Sequence, residues 1–202
     1  MRLAGVRVGF GLTGSYCTIP DVIPALKQLR ATGAELFPIA SPFVLQTDTR
    51  FGKGEELHKM LVEITGRKPW QSLVEVEPIG PQGLLDIMVV APCTGTTLSH
   101  LAQGVSSTPV TLACKAQLRN ERPVVLAVST NDGLGANLLN LGMLLNRKFI
   151  YFVPFGQDEP ERKPNSLVAK MELLTPTVVH ALEGKQIQPL LQCSPGKLKN
   201  KV

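Results

Sequence analysis

The chain is poor in aromatic residues: across 202 positions it has one Trp (Trp70), two Tyr and seven Phe. Without aromatics interleaved along a basic stripe, nucleic-acid binding is not expected. The three histidines, His58, His100 and His180, stand singly with no partner at i+4. That spacing, and the lack of clustered carboxylates at strand ends, argues against a metal site. The four cysteines (Cys17, Cys93, Cys114, Cys193) form no C-x-x-C pair and read as free thiols of a reducing compartment. Apolar runs are strand-length, far short of the roughly 20 residues a membrane span needs. The first five residues lead into a strand rather than a signal-peptide core, so a cytoplasmic location is expected. The net charge of +5 owes three charges to Lys197, Lys199 and Lys201 near the end.

What is present is a globular composition, 44% apolar and 18% charged. One domain is expected over residues 1–192, with a basic, flexible tail at 193–202. Apolar runs alternate with helix-length segments. Strands are predicted at 6–10, 36–40, 87–91, 124–128 and 150–153, with a short edge strand at 74–76. Helices are predicted at 18–32, 55–65, 98–104, 109–118 and 138–145, and a last one capped by Ser166 and running to about 182. This alternation predicts a three-layer, Rossmann-like α/β fold: an open parallel sheet with helices on both faces.

The most informative stretch is Gly9-Phe10-Gly11-Leu12-Thr13-Gly14-Ser15, with glycines at the G-x-G-x-x-G spacing between a strand and a helix. Such glycines allow a tight turn and let backbone N–H groups approach a phosphate at a helix N-terminus. A nicotinamide dinucleotide would also require Asp or Glu at the end of the second strand. Ser41-Pro42 stands there instead, and Thr13 and Ser15 add hydroxyls around the last glycine. A mononucleotide phosphate fits better. The alternative is a glycine turn with no ligand. The other strand ends, at 92–97, 129–132 and 154–158, are likewise rich in hydroxyls, glycine and amides. Cys93 stands beside a predicted helix N-terminus, a setting that lowers a thiol pKa, against the plainer reading of a packed, inert side chain.

Gly11-Leu12-Thr13-Gly14-Ser15, the serine after the second strand, and Ala91-Pro92-Cys93-Thr94-Gly95-Thr96-Thr97-Leu98 together resemble the flavoprotein family. That family includes phosphopantothenoylcysteine decarboxylase, lantibiotic-cysteine decarboxylases and flavin prenyltransferases. Later strings, Leu118-Arg119-Asn120-Glu121-Arg122-Pro123, Ser129-Thr130-Asn131-Asp132 and Val153-Pro154-Phe155-Gly156-Gln157-Asp158, are similar to its dipicolinate synthase branch. The resemblance implies an FMN site. Gly11, Thr13, Gly14, Ser15 and Ser41 would hold the phosphate, Thr94 and Thr97 would approach the flavin or its phosphate, and Ser129 and Asn131 would line the ring or substrate side. It further implies a homo-oligomer built from trimers, and a separate partner, the A subunit of the synthase, which carries NAD or NADP.

The function this implies is to assist oxidation of dihydrodipicolinate, a cyclic dicarboxylate, to the aromatic pyridine. Asn131, Ser129 and Cys93 are the candidates for orienting substrate. Two alternatives stay open. One is a cysteine-type decarboxylase, although Thr96 stands where those enzymes carry Asn and His58 is an uncertain counterpart of their histidine. The other is a non-catalytic scaffold with a phosphate pocket.

Overall fold

The computed structural model describes residues 3–192; the tail expected at 193–202 lies outside the described residues. In chain order the elements are β1 (Arg7–Leu12), α1 (Ile19–Ala31), β2 (Glu35–Ala40), α2 (Pro42–Gln46), α3 (Gly54–Thr65), α4 (Leu73–Val76) and α5 (Ile79–Gln82). They continue with β3 (Ile87–Cys93), α6 (Gly95–Gln103), α7 (Pro109–Arg119), β4 (Val124–Thr130), α8 (Asn137–Leu145), β5 (Ile150–Phe152), β6 (Phe155–Gly156), β7 (Leu167–Ala169) and α9 (Leu174–Leu182). A short 3-10 turn, Tyr16–Thr18, leads into α1.

Five strands run parallel in the order β2-β1-β3-β4-β5. β3 and β4 are buried almost throughout, as expected for strands covered on both faces. α1, α3 and α9 pack on one side, α6, α7 and α8 on the other. The chain leaves β1 toward β2 in one direction, whereas β3 lies on the other flank of β1. The ends of β1 and β3 therefore form a topological switch point, where open α/β sheets bind their ligands.

The short helices α2 and α5 have no counterpart among the expected elements, and three further features depart from them. Residues 74–76 form the helix α4, not an edge strand. Ser72 accepts from Glu75 N (3.3 Å) while Glu75 Oε2 accepts from Ser72 N (2.9 Å), a capping box that outweighs the β-branched valines. Ser166 caps no helix; it is buried just before β7, and α9 starts only at Leu174. The parallel sheet is also extended: β7 runs antiparallel to the end of β4, pairing Val168 with Ser129 and Leu167 with Thr130, and β6 pairs with β7. Two- and three-residue strands bury too little to leave a periodic signal.

Gly11 lies inside β1, paired with Ile39 and Val90. A Cβ there would sit 2.8 Å from Met88 Cε and 2.9 Å from Val110 Cγ1, so the missing side chain admits α7 against the sheet. At the opposite edge from the switch point, Asp86 joins the strand starts. It accepts from Arg7 Nη2 (2.6 Å), Arg7 Nε (3.1 Å) and Arg7 N (2.8 Å), with Arg122 Nη1 at 3.9 Å.

The Arg7 hydrogen bonds hold the Asp86 carboxyl below its ordinary range despite partial burial. A depressed carboxyl stabilises the fold above the unfolded-state pKa of about 4, and that contribution is lost as pH falls through the folded-state value. Because the pair is about a third exposed, its worth is on the order of 1 kcal/mol. Asp86→Asn should therefore lower the urea midpoint near neutral pH, and the gap to the parent should close as the pH falls below about 4. A gap independent of pH would contradict the assignment.

Candidate functional site

The site is assembled at the carboxyl ends of β1, β2, β3 and β4, and buried hydroxyls tie those ends together. Thr13 is 3% exposed. Its Oγ1 donates to Pro92 O at 2.7 Å and accepts from Thr94 N at 3.1 Å, so the turn after β1 is fastened to the turn after β3. A hydroxyl has one proton, and that of Thr13 is spent on Pro92.

A second tie crosses to β4. Ser15 Oγ lies 2.7 Å from Ser129 Oγ and 3.1 Å from Thr18 Oγ1, and Thr18 Oγ1 lies 2.5 Å from Ser129 Oγ. Three hydroxyls in a triangle can each donate once and accept once, satisfying the buried Thr18 and Ser129 without any charged group. Ser15 is half-buried and can turn its proton outward toward an anion at the cost of one edge of the triangle.

The helix starts on this rim fall into two kinds. Thr94 caps α6: its Oγ1 accepts from Thr97 N at 3.3 Å and pairs with Thr97 Oγ1 at 2.9 Å. This pairing uses one of the two hydroxyl protons within the helix start and leaves the other for a further acceptor. Ser15, Thr18 and Ser41 also stand at helix starts, yet none makes a side-chain cap. Thr18 N donates to Ser15 O at 3.1 Å and Ile19 N to Tyr16 O, and Pro20 has no N–H, so the leading donors left for another acceptor are those of Tyr16 and Cys17. Ser41 N donates to Leu12 O at 3.3 Å, which brings Ser41 beside the end of β1. Gly14 is exposed, and a Cβ there would meet nothing nearer than Tyr16 Cε2 at 3.7 Å. Packing does not demand that glycine; the space in front of it is open. Tyr16 closes the loop on the other side, with its hydroxyl donating to Phe43 O at 3.1 Å. Beyond Tyr16, an apolar cavity of about 380 Å³ lies between α1 and α3, lined by Ile19, Val44, Phe51 and Met60 among others.

The predicted site residues thus separate. Gly14, Ser15, Ser41, Ser129 and Asn131 come to one rim, and Thr13 binds that rim together from beneath. Gly11 belongs to the core. Cys93 is fully buried, and burial, with a smaller contribution from Cys114, pushes its thiol well above the ordinary range. The expected lowering by a helix N-terminus is outweighed by desolvation. Asn131 is exposed in the turn after β4. Sequence reasoning missed Thr18, which stood only as the first residue of the helix predicted at 18–32, and Gly95 with Asn137. A Cβ at Gly95 would lie 2.5 Å from Asn137 Nδ2 and 2.9 Å from Asp132 Oδ1. No periodicity or spacing marks a contact between residues so far apart in the chain.

His58 sits in α3 near Glu55, and His180 Nδ1 lies 2.9 Å from Pro176 O within α9. Among the described residues no three His, Cys, Asp or Glu gather as metal ligands, and no helix is long and apolar enough to cross a membrane.

The burial of the thiols makes a simple prediction. In the native protein at neutral pH, an alkylating reagent should label the exposed Cys17 and leave Cys93 and Cys114 unmodified until denaturant is added. Peptide mapping reads the result; rapid native labelling of Cys93 would contradict its placement.

Known proteins share this sequence pattern and fold. The Flavoprotein family matches residues 2–148. The B subunit of dipicolinate synthase from Bacillus subtilis (strain 168) is 50% identical over 189 residues, 94% of each chain. The crystal structure of the dipicolinate synthase B subunit from Bacillus halodurans C superposes with a TM-score of 0.89 at 47% identity, covering 96% of this chain and 100% of that one. The FMN-dependent cysteine decarboxylase SpaF shares the fold alone, with a TM-score of 0.63 at 20% identity over 89% of this chain and 98% of that one. By family match and by identity along nearly its whole length, the chain belongs to the flavoprotein family.

Proposed function

We propose that this chain is the FMN-binding subunit of a dipicolinate synthase, assisting the oxidation of dihydrodipicolinate to dipicolinate in sporulating cells. The observation that carries the reading is the 50% identity to the B subunit of a dipicolinate synthase over 94% of both chains. The geometry supports the cofactor class. An exposed glycine with open space before it and a half-buried Ser15 precede α1, and Ser41, whose side chain caps no helix, stands beside the end of β1. A phosphate dianion there gains backbone donors, side-chain donors and the helix dipole together. Thr13 holds the rim's shape, and the hydroxyl proton that Thr94 and Thr97 do not use between them can reach the flavin or its phosphate.

Aromatising the ring removes a hydride and a proton; bound FMN would supply a hydride acceptor or relay. The chain's own part is to bind and orient. Asn131, exposed in the turn after β4, offers an amide to the ring edge or a substrate carboxylate, while Ser129, buried in the hydroxyl triangle, anchors the strand end that carries it. Cys93, buried and protonated, takes no part. NAD or NADP belongs to the partner, the synthase's A subunit, and the pair works in the cytoplasm.

The chain is also proposed to assemble with copies of itself. α8 carries no charged residue from Asn137 to Leu145, yet Leu138 (53%), Leu139 (72%) and Met143 (38%) are exposed on it. An apolar, uncharged stripe beside the site meets a like copy without repulsion.

The test is purification followed by reconstitution. The chain should take up FMN, show flavin absorbance and sediment well above its monomer mass of 21.8 kDa. With the A subunit added it should oxidise dihydrodipicolinate, and Ser15→Ala with Ser41→Ala should weaken FMN uptake about tenfold or more. A colourless chain that takes up no FMN, in a pair whose turnover ignores the two serines, would leave only the scaffold reading.

A further inference from the structure

The turn after β4 carries a side-chain network that the phosphate cradle does not use. Asp132 Oδ1 accepts from the Thr130 hydroxyl and from Asn137 Nδ2 at 2.9 Å, and Oδ2 lies 2.8 Å from the same amide nitrogen. The Asp132 carbonyl accepts from Gly135 N (2.9 Å) and Asn137 N (3.2 Å). Asn137 is 6% exposed, and its Oδ1 accepts from Asn140 Nδ2 at 2.9 Å.

This cluster presses on bare backbone at the first residue of α6. A Cβ on Gly95 would fall 2.5 Å from Asn137 Nδ2, 2.7 Å from Thr130 Oγ1 and 2.9 Å from Asp132 Oδ1. The turn is also held from outside. Leu134 N donates to Asn165 O at 2.9 Å, and Gly133 closes on Leu167, whose Cβ would lie 2.8 Å from an added side chain.

An Asn-Asp-Gly sequence turns without any of this. A carboxylate taking several donors, set against a helix N-terminus, is stronger than a turn requires. What it immobilises is the residue between. Asn131 is flanked by Thr130 and Asp132, whose side chains are bonded to each other, and it follows Ser129 of the hydroxyl triangle. Its backbone is pinned on both sides, and its own amide is the exposed one.

We infer that Asp132 is a positioning residue: the Thr130–Asp132–Asn137 clamp fixes Asn131 at the ring end of the site, and so sets affinity for a pyridine dicarboxylate without touching the phosphate cradle. The inference rests on the function proposed above. It assigns the recognition of the ring-bearing ligand to the β4–α8 turn, and that of the phosphate to the β1–α1 loop.

The probes are pyridine-2,6-dicarboxylate and FMN, titrated calorimetrically into the full chain, alone and with its partner present. Asp132→Ala should weaken the dicarboxylate about tenfold while leaving FMN affinity within about twofold. Asn131→Ala should cost about the same, and the double variant no more than either single one, since Asp132 acts through Asn131. The exchange Asp132→Asn with Asn137→Asp should restore most of the dicarboxylate affinity. Thr130→Val, which removes one donor and little volume, should give an intermediate loss and serves if Asp132→Ala does not fold. Additive losses, or equal weakening of both ligands with a lowered Tm, would overturn the positioning role. If the parent protein binds neither probe, the functional reading falls first and takes this one with it. If the parent binds both and the variants bind like it, only the clamp is refuted.

Discussion

Buried hydroxyls that bridge distant parts of the chain hold the carboxyl edge of the sheet, and the site depends on them. Thr13 spans 79 positions to reach Pro92, and Thr18 spans 111 to reach Ser129. Loops that follow parallel strands are otherwise free to move independently, because the ladder hydrogen bonds stop where the strands end. Here Thr13, Thr18 and Ser129 are buried hydroxyls, each of which would cost about 1–3 kcal/mol if left without a partner. That penalty makes separation of the loops unfavourable and keeps the switch point between β1 and β3 in one shape.

The same chemistry explains why similar residues do different work. A serine or threonine has one proton to give. Thr13 gives it to a carbonyl, and Thr94 and Thr97 share theirs at the start of α6. Ser15 and Ser41 stand at the rim with helix starts they do not cap. Glycines divide in the same manner: Gly11 is required by the closeness of Met88 and Val110, Gly95 by the Asp132 network, and Gly14 by neither. The positions left over after structural demands are met are those we propose as the phosphate cradle ahead of α1. α8 is divided likewise: Leu141 and Leu144 are buried, while Leu138, Leu139 and Met143 are exposed with no charge among them.

Much of this was legible in the residues themselves. The five parallel strands announced themselves as apolar runs, and the strand-end segments marked the rim. Ser41 in place of an acid turned the glycine loop away from a dinucleotide. What escaped the sequence were effects of assembly. The glycine spacing placed Gly11 in the turn, but the strand runs on to Leu12 and buries it. Cys93 follows a strand and precedes a helix, which argues for a reactive thiol until its complete burial is seen. Val74 has strand propensity, but the Ser72–Glu75 capping box decides the local structure. Asp132 stood in a polar strand-end segment and Asn137 just before the helix predicted at 138–145, and only their approach to Gly95 reveals a shared network.

The central claim is that Gly14, Ser15 and Ser41 form a cradle for the phosphate of a flavin mononucleotide. The most direct measurement compares FMN with riboflavin, which lacks that phosphate, in fluorescence titrations of the purified chain. The account predicts that FMN binds about a hundredfold more tightly or better, and that Ser15→Ala with Ser41→Ala narrows the gap to about tenfold while riboflavin affinity stays put. Equal affinity of the parent protein for FMN and riboflavin would contradict it.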